Sequence, residues 1–310
     1  MTAYNASLFI RDAVESVLKQ SFTNFEFIIM DDGSEDDTAL IISSFSDGRI
    51  ITHFSKQNLG VSKQRAKLLS LARGKYINFV DADDILHPSK FEKQIQFLEK
   101  NPEISVLGTY VIIIDERGKM RSRLKLKANS DQIRSILVFR NYFVNSSVMF
   151  RKAVIPKETF REGADFIEDY LLWWKILQQA KGYNLPGYYT CYRDHKDNMT
   201  HRVEAYRDLL DKTVYKLILQ DMGMQPVQEE LDLHYFISNS APVKSLDQMK
   251  SLRNWLLKLN RYCRAEVMGY VNKTICNRWL KICWKARKNP VLLGFGLYVL
   301  CTDFIMNQGK

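Results

Sequence analysis

Short apolar runs alternate with helical periodicity through the first hundred residues of this chain. Runs rich in aromatic and β-branched residues predict strands, whereas apolar residues that recur every three or four positions predict helices. The predicted strands are 25–30, 50–54, 76–80 and 104–107, and the predicted helices are 6–21, 35–45, 61–72 and 91–98. Because the two kinds of element alternate with short connections, they predict βαβ units and an α/β fold with a mostly parallel sheet.

The pattern changes in the rest of the chain. It becomes irregular after about residue 110, with strands predicted at 146–150 and 187–192 and a helix at 169–180. Towards the C-terminus only helical periodicity remains. A chain of 310 residues is long enough for two domains. We therefore expect an α/β domain at 1–203 and an α-helical, basic region at 204–310.

Two predicted strands each end in acidic residues. Asp31 and Asp32 follow the first of them, and Asp81 and Asp83 follow the third. The carboxyl ends of strands in an open α/β sheet face the ligand, and neighbouring carboxylates repel each other unless a cation or donor compensates them. Carboxylates suit Mg²⁺ or Mn²⁺, which keep positions open for diphosphate oxygens. Turn formation and helix capping are the alternative roles, but two clusters at strand ends favour binding.

Composition and missing motifs exclude several classes of protein. Hydrophobic residues make up 46% and charged residues 26%, which excludes disordered and collagen-like chains. The five cysteines form no C-x-x-C pair, which excludes a zinc ribbon and favours a reducing cytosol over a secreted disulfide framework. The absence of G-x-G-x-x-G and of the P-loop pattern disfavours dinucleotide redox and P-loop chemistry.

The positive charge is concentrated near the C-terminus. The segment 251–290 has ten basic residues and one acidic residue, which accounts for nine of the ten net charges, and tryptophans and leucines lie among them. This mixture suits the surface of an anionic membrane. A solvated basic face and nucleic-acid binding are the alternatives, but no motif supports the latter. The apolar run 291–306 is short for a bilayer span and predicts a monotopic or core helix.

Seven segments together resemble family 2 glycosyltransferases of the bacterial surface-polysaccharide type, inverting enzymes with the Rossmann-like A-type glycosyltransferase fold. The resemblance covers about residues 1–200. Any one of the segments would be weak, but their order makes the set specific. They are TAYN (2–5), SVLKQSFTNFEFIIMDDGSEDDT (16–38), NLGVSKQRA (58–66), GKYINFVDADD (74–84), NSSVMFR (145–151), FIEDYLLW (166–173) and YRDH (192–195).

The resemblance implies which residues bind a nucleotide sugar. Thr2, Tyr4 and Asp32 match positions that line the pocket of the base, where Asp32 would accept from the uracil ring. Arg65 matches a basic residue near the nucleotide. Asp81 matches a position near the ribose and the metal.

The resemblance also implies a metal site and a catalytic base. Asp83 matches the ligand that bridges Mn²⁺ or Mg²⁺ to the diphosphate, and His195 matches a histidine that approaches the metal in some relatives. Asp169 matches the base that takes the proton of the acceptor hydroxyl. Helix N-terminal stabilisation is the alternative role of Asp169, and a polar loop residue is the alternative for His195.

The chain departs from the family pattern at two places. Relatives have about seven residues before the Thr-x-Tyr-Asn segment, and these form a central strand. We therefore expect either a start upstream of Met1 or a sheet without its first strand, whose neighbours would be left unpaired. Ala66 stands where relatives often have Asn, which puts one pocket contact in doubt.

The sequence predicts a metal-dependent glycosyltransferase at the cytoplasmic face of the inner membrane. It would move a hexose or N-acetylhexosamine from a UDP-sugar to a saccharide or lipid-linked glycan in lipopolysaccharide, O-antigen or capsule biosynthesis. The alternative is a catalytically degenerate, N-terminally truncated scaffold at the membrane periphery. A third interpretation, a basic nucleic-acid-binding protein, has no motif in its favour, so we expect no nucleic-acid partner.

Overall fold

The computed structural model describes residues 1–126, 129–156, 165–262 and 265–299. Its strands are β1 (Thr2–Ala3), β2 (Phe27–Asp31), β3 (Ile50–Phe54), β4 (Tyr76–Asn78), β5 (Ile85–Leu86), β6 (Ile104–Ile114), β7 (Met120–Leu124), β8 (Met149–Arg151) and β9 (Lys181–Arg193). Its α-helices are α1 (Ile10–Leu18), α2 (Thr38–Ser43), α3 (Val61–Leu71), α4 (Lys90–Lys100), α5 (Ser130–Leu137), α6 (Glu168–Leu177), α7 (Met199–Arg202), α8 (Arg207–Asp221), α9 (Gln228–Asn239), α10 (Leu246–Arg261), α11 (Ala265–Lys285) and α12 (Pro290–Val299). The predicted elements are present, with bounds that differ by up to seven residues, whereas β1, β5 and β7 were not predicted.

The chain divides into two compact units. Unit 1 comprises Met1–Ser130 and Phe143–Ala205, and unit 2 comprises Asp131–Tyr142 and Tyr206–Lys310. The chain therefore enters unit 2 once, early, through most of α5 before it returns to unit 1. The sequence pattern suggests one boundary after residue 203. It does not predict that Asp131–Tyr142 belong to unit 2.

Unit 1 contains two sheets. The first is parallel, with the order β1-β2-β3. The second is mixed, with the order β4-β8-β6-β9-β5, and β7 pairs with β6 at its side. A parallel bridge between Thr2 and Asp81 links the two sheets. The ends of β1 and β2 and the segment after β4 thus meet at one edge, as the α/β prediction requires.

The first residues of the chain form part of the sheet. The Met1 amino group donates to Ile28 O at 2.8 Å, and Asp32 N donates to Ala3 O at 2.8 Å. β1 therefore pairs with β2 on one side and meets Asp81 on the other. The short strand supplies the backbone contacts at the sheet edge where the predicted site residues lie.

The core of unit 1 follows from the amphipathic pattern of its helices. In α1 the apolar positions Ile10, Ala13, Val14 and Val17 recur at helical spacing and are all buried. They pack with apolar side chains of β1 and β2 in one cluster. This packing fixes the sheet edge against a rigid helix.

The regular secondary structure of unit 2 is helical throughout its described residues, as the C-terminal periodicity predicts. No helix among the described residues combines the length and the apolar character needed to cross a bilayer. α12 covers the described part of the apolar run 291–306, and residues 300–306 lie outside the described ranges.

A buried histidine lies at the centre of unit 2. The His234 ring is stacked on Phe139 at 5.1 Å between centroids, and its Nε2 lies 2.9 Å from Val138 O. Tyr215 and Trp255 meet the ring edge-on. Burial lowers the pKa of His234 from 6.5 to about 4, because the imidazolium would lose its hydration.

His234 makes the stability of the protein depend on pH. Its folded-state pKa lies below its unfolded one, so its contribution is complete above pH 6.5 and is lost as the pH falls towards 4. We expect the free energy of unfolding to drop by about 3 kcal/mol over this range. His234→Gln should flatten the dependence in urea unfolding followed at each pH, whereas the exposed control His87→Gln should not. An unchanged slope in His234→Gln would contradict this assignment.

Candidate functional site

The first acidic pair is held by the turn that follows β2. The Asp31 carboxylate accepts from Ser34 N at 3.1 Å and also from Ser34 Oγ. Gly33 lies between them with φ +74°, and a Cβ there would stand 2.7 Å from Gln57 C. Glycine is therefore required at this position for both backbone conformation and space. Asp31 is a turn residue, as the alternative interpretation of these acids expects.

Asp32 is buried and organises the loop before α3. Its carboxylate accepts from Leu59 N at 2.9 Å, from Gly60 N at 3.0 Å and from Gln64 Nε2. A carboxylate has about four acceptor positions, so capacity for a further donor remains. Its role as an acceptor from uracil stays a prediction. Gln64 was missed by the sequence analysis because a single glutamine in a helical pattern gives no signal.

Thr2 and Tyr4 lie at the same sheet edge as the first acidic pair. Ala3, between them, is paired in register with Asp31, and Thr2 is bridged to Asp81. The Tyr4 side chain is exposed at the end of β1. Thr2 and Tyr4, which are predicted to line a base pocket, thus flank a residue that pairs with the first acidic cluster. Thr2 is also bridged to the second cluster.

Arg65 joins three segments of unit 1. It lies on α3 and is almost fully buried, with Nη2 donating to Asp81 Oδ1 at 2.8 Å and Nη1 paired with Glu168 Oε1. Burial opposes the charged guanidinium, but Glu168 and then Asp81 hold the pKa of Arg65 above its usual value. The structure therefore brings together a helix, a strand end and the start of α6 through one cation.

Glu168, the glutamate of this network, has a raised pKa. Burial raises the pKa of Glu168 from 4.5 to about 7, against the opposing effect of Arg65 and with a further contribution from Asp169. Its second oxygen, Oε2, is buried and has no hydrogen-bond partner in the part of the chain that is described. No local sequence pattern reveals this pairing of Glu168, because its partner Arg65 is about a hundred residues away.

Asp81 receives two further contacts from one loop. Asn145 Nδ2 donates to Asp81 Oδ1 at 2.8 Å, and Asp81 N donates to Ser146 Oγ at 3.0 Å. Both partners belong to the NSSVMFR segment. The segment was recognised by resemblance, but the function of its polar residues became visible only with the fold.

Asp83 and His195 are neighbours. Asp83 Oδ2 lies 3.1 Å from His195 Nε2 and accepts from Asn198 Nδ2 at 3.2 Å. The His195 ring lies against Phe9, with 4.6 Å between centroids. Two residues that are over a hundred positions apart, and that the resemblance assigns to one metal, are thus in direct contact. Asn198 was missed because nothing in the sequence links it to Asp83.

Arg193 anchors the segment around Asp83 from behind. It is buried, and its Nε donates to Asp83 O at 2.9 Å, while its backbone N donates to Asp84 Oδ1 at 2.9 Å. Burial, followed by the charge of Asp83, raises the pKa of Asp84 well above its usual value, which favours the protonated form. The main chain at Asp83 is therefore held by a cation, while its side chain points to His195.

Asp83 and His195 could hold a divalent cation if the diphosphate of the substrate and water supplied the other ligands. Among the described residues, no group of three or more His, Cys, Asp or Glu side chains is arranged to hold a metal. Asp83 and His195 supply one carboxylate oxygen and one imidazole nitrogen, a donor set that suits Mn²⁺. Cations in diphosphate sites take few ligands from the protein and the rest from phosphate and water, so two donors are sufficient.

Asp169 lies beside the Arg65 network at the start of α6. Its Oδ1 accepts from Tyr170 N at 2.6 Å, and its charge acts on both Arg65 and Glu168. The side chain is half-buried. Position alone agrees with both roles considered from the sequence, catalytic base and helix N-terminal acid, so the base role stays a prediction.

Asp165 connects the segment before α6 to the start of α3. Its Oδ1 accepts from Ser62 N at 2.8 Å, so it satisfies an amide in the first turn of the helix that carries Arg65. A Cβ on Gly60, which has φ +90°, would stand 2.9 Å from Asp165 Oδ2. This contact has no counterpart in the sequence motifs.

Comparison with known proteins identifies the family. The family model described as "Glycosyl transferase family 2" matches residues 1–192. An uncharacterized glycosyltransferase of Methanocaldococcus jannaschii is 30% identical over 214 residues, which cover 67% of this chain and 74% of that protein. The Escherichia coli UDP-Glc:alpha-D-GlcNAc-diphosphoundecaprenol beta-1,3-glucosyltransferase WfgD is 32% identical over 183 residues, or 57% of this chain and 68% of WfgD.

Solved structures support the fold. The crystal structure of S. aureus TarS 1-349 in complex with UDP-GlcNAc has a TM-score of 0.59 to this chain at 19% identity, covering 95% of this chain and 90% of the other. The complex of the same protein with UDP has a TM-score of 0.55. The mixed α/β architecture and the family match over most of unit 1 agree, and the chain therefore belongs to glycosyltransferase family 2.

Proposed function

We propose that this protein is an inverting glycosyltransferase that moves a hexose or N-acetylhexosamine from a UDP-sugar to a saccharide or lipid-linked acceptor of a bacterial surface polysaccharide. The proposal rests on one observation: two groups of charged side chains lie at the same sheet edge. In the first group, Asp81, Arg65 and Glu168 form a buried ion-pair network next to Asp169. In the second group, Asp83, which follows Asp81 by two residues, contacts His195.

The donor class is supported by two similar proteins. WfgD is named for a UDP-glucose donor and a diphosphoundecaprenol-linked acceptor, and TarS was crystallised with UDP-GlcNAc and with UDP. In this chain the nucleotide would lie against Thr2 and Tyr4, with the diphosphate towards Asp81 and Asp83. The half-exposed Asp83 side chain is accessible for that contact.

Asp83 and His195 would hold a Mn²⁺ or Mg²⁺ ion, which would stabilise the negative charge of the departing diphosphate. The chain keeps these two donors in place through its own contacts. Asn198 holds Asp83 Oδ2, and Phe9 supports the His195 ring. Arg193 fixes the backbone of Asp83.

Asp169 would act as the base that takes the proton of the acceptor hydroxyl. A single displacement with one base inverts the configuration at the anomeric carbon. Arg65 lies close enough for its charge to act on Asp169, and it is itself compensated by Glu168 and Asp81.

We place the enzyme at the cytoplasmic face of the inner membrane, in contact with it through unit 2. The corner between α11 and α12 exposes Trp284 by 63% and Val291 by 64%. Basic side chains surround them, namely Lys281, Lys285, Arg287 and Lys288, all exposed. Arg287 lies 3.9 Å from the centroid of the Trp284 ring. Exposed apolar side chains ringed by cations are typical of an interface with anionic lipid.

Removal of the metal ligand should weaken metal-dependent donor binding. Calorimetric titration of UDP into the wild type should show binding that requires Mn²⁺ or Mg²⁺. Asp83→Ala should weaken it by roughly 100-fold because a direct ligand is lost. The exposed control Asp197→Ala should bind as the wild type does. No binding by the wild type would favour the degenerate scaffold, and full affinity in Asp83→Ala would refute the metal site.

Removal of the base should leave donor binding intact. Asp169→Asn should lower the rate of sugar transfer by roughly 10²–10⁴-fold, because the acceptor proton would have no carboxylate to receive it. UDP affinity should stay within about twofold of the wild type, since Asp169 does not contact the nucleotide in this proposal. The exposed control Asp247→Asn should keep full activity. Transfer by Asp169→Asn at the wild-type rate would exclude the base role.

The unit 2 corner should govern partition onto vesicles. Trp284→Ser combined with Val291→Ser should lower binding to phosphatidylglycerol vesicles by roughly tenfold, because both exposed apolar contacts are removed. Leu209→Ser is the matched control, since Leu209 is 64% exposed on α8 in the same unit. Flotation of both variants measures the difference. Equal losses in the two variants would show that the corner is not the contact.

A further inference from the structure

Strand β7 and the turn before it carry a second concentration of positive charge. The chain has no acidic residue between Glu116 and Asp131. Every residue of β7 is exposed. The exposed basic residues of the turn, the strand and its C-terminal extension are Arg117, Lys119, Arg121, Arg123 and Lys125. We call them the β7 basic row.

The row follows the turn, the strand and its extension. Only Arg121 and Arg123 lie within β7, whose pairing with β6 shifts register between Ile113 and Ile114. No strand covers the other edge of β7 among those described. The basic side chains are therefore spread along an exposed segment rather than gathered at one point.

The row adjoins the proposed active site. Arg121 Nη1 donates to Asp194 Oδ2 at 2.8 Å, and Asp194 is next to His195 in the chain. Arg123 lies over the Tyr188 ring at 5.5 Å. Both contacts attach β7 to β9 and the loop that follows it. Arg117, Arg123 and Lys125 make no ion pair with any residue that the structure describes, so their charges are available.

A groove borders the turn at the start of the row. It has a volume of about 530 Å³ and is lined by Arg117 and Gly118 of the turn and by Arg193, among others. Arg193 Nε also donates to Asp83 O, so one residue of the groove wall contacts the backbone of a proposed metal ligand. The groove also has acidic residues. Asp12 is paired with Arg193 and Glu15 with Lys19, which leaves Glu116 as its acid without an ion pair in the described chain.

The charge of the row selects the kind of partner. A second copy of the strand would repel it, because five cations would face five cations. A neutral glycan gains hydrogen bonds from these side chains but no attraction between opposite charges, and β7 has no aromatic residue on which a nucleic-acid base could stack. A repeating anion fits the length and the sign of the row.

We propose that the β7 basic row binds the acceptor, and that the acceptor is a glycan bearing phosphate groups. The proposal rests on the proposed function, since it names the substrate class of that site. The acceptor chain lies along β7, held by Arg117, Arg123 and Lys125.

The test compares two triple variants of the full-length chain. Arg117→Gln/Arg123→Gln/Lys125→Gln removes three charges of the row that make no ion pair with a described residue. Its affinity for phosphorylated dextran should fall about tenfold, while neutral dextran of equal length should not bind to any form. The matched control is Lys67→Gln/Lys93→Gln/Lys100→Gln, which removes three exposed charges elsewhere in unit 1 and should bind as the wild type does.

Three outcomes would overturn the proposal. The first is equal affinity of the β7 variant and the wild type for phosphorylated dextran. The second is loss of phosphatidylglycerol-vesicle binding by the β7 variant with dextran binding kept, which would assign the row to the membrane. The third is wild-type binding that does not weaken between 50 and 300 mM salt, a measurement that is independent of how the variants fold.

The UDP titration separates this proposal from the proposed function. UDP binding by the β7 variant should equal that of the wild type, because none of the three residues contacts the nucleotide site. If the wild type binds phosphorylated dextran but not UDP, the proposed function fails while the anion-binding row stands. If UDP binds and the dextran does not, the enzyme stands and the row fails.

Discussion

A buried guanidinium needs carboxylate partners, and the site of this protein is arranged around that requirement. Arg65 on α3 is paired with Asp81 after β4 and with Glu168 at the start of α6. Removal of one partner of a buried ion pair costs roughly 3–5 kcal/mol, because the remaining charge stays unpaired out of water. The three segments are therefore held in one arrangement, and Asp169 takes its position from its neighbour Glu168.

The charges of Asp83 and Asp84, next to this network, must also be compensated. Asp83 and Asp84 would repel each other if both were ionised, and Arg193 relieves this repulsion by bonding the backbone of the one and the side chain of the other. The raised pKa of Asp84 removes one negative charge from the interior. Asp83 is left as the more accessible carboxylate beside His195. Burial and hydrogen bonding thus give different properties to three acids within four positions of the chain.

Positive charge on the surface is concentrated in two segments. The net charge of the chain indicates only the C-terminal segment 251–290, which includes the exposed Trp284. The β7 basic row does not stand out in the net charge, because acidic residues elsewhere balance it. It becomes recognisable as a surface feature only when β7 is seen to be an exposed edge strand.

The sequence by itself determined the alternation of strands and helices, the two acidic strand ends and the segments that resemble family 2. Apolar periodicity and strand-end acids are local features, and local features survive in a linear sequence. Only the tertiary structure decided that Glu168 pairs with Arg65, that Asn198 and His195 contact Asp83, and that Gln64 and Asp165 support the start of α3. These partners lie up to about a hundred residues apart, and their contacts arise from the packing of distant segments, which no local pattern encodes.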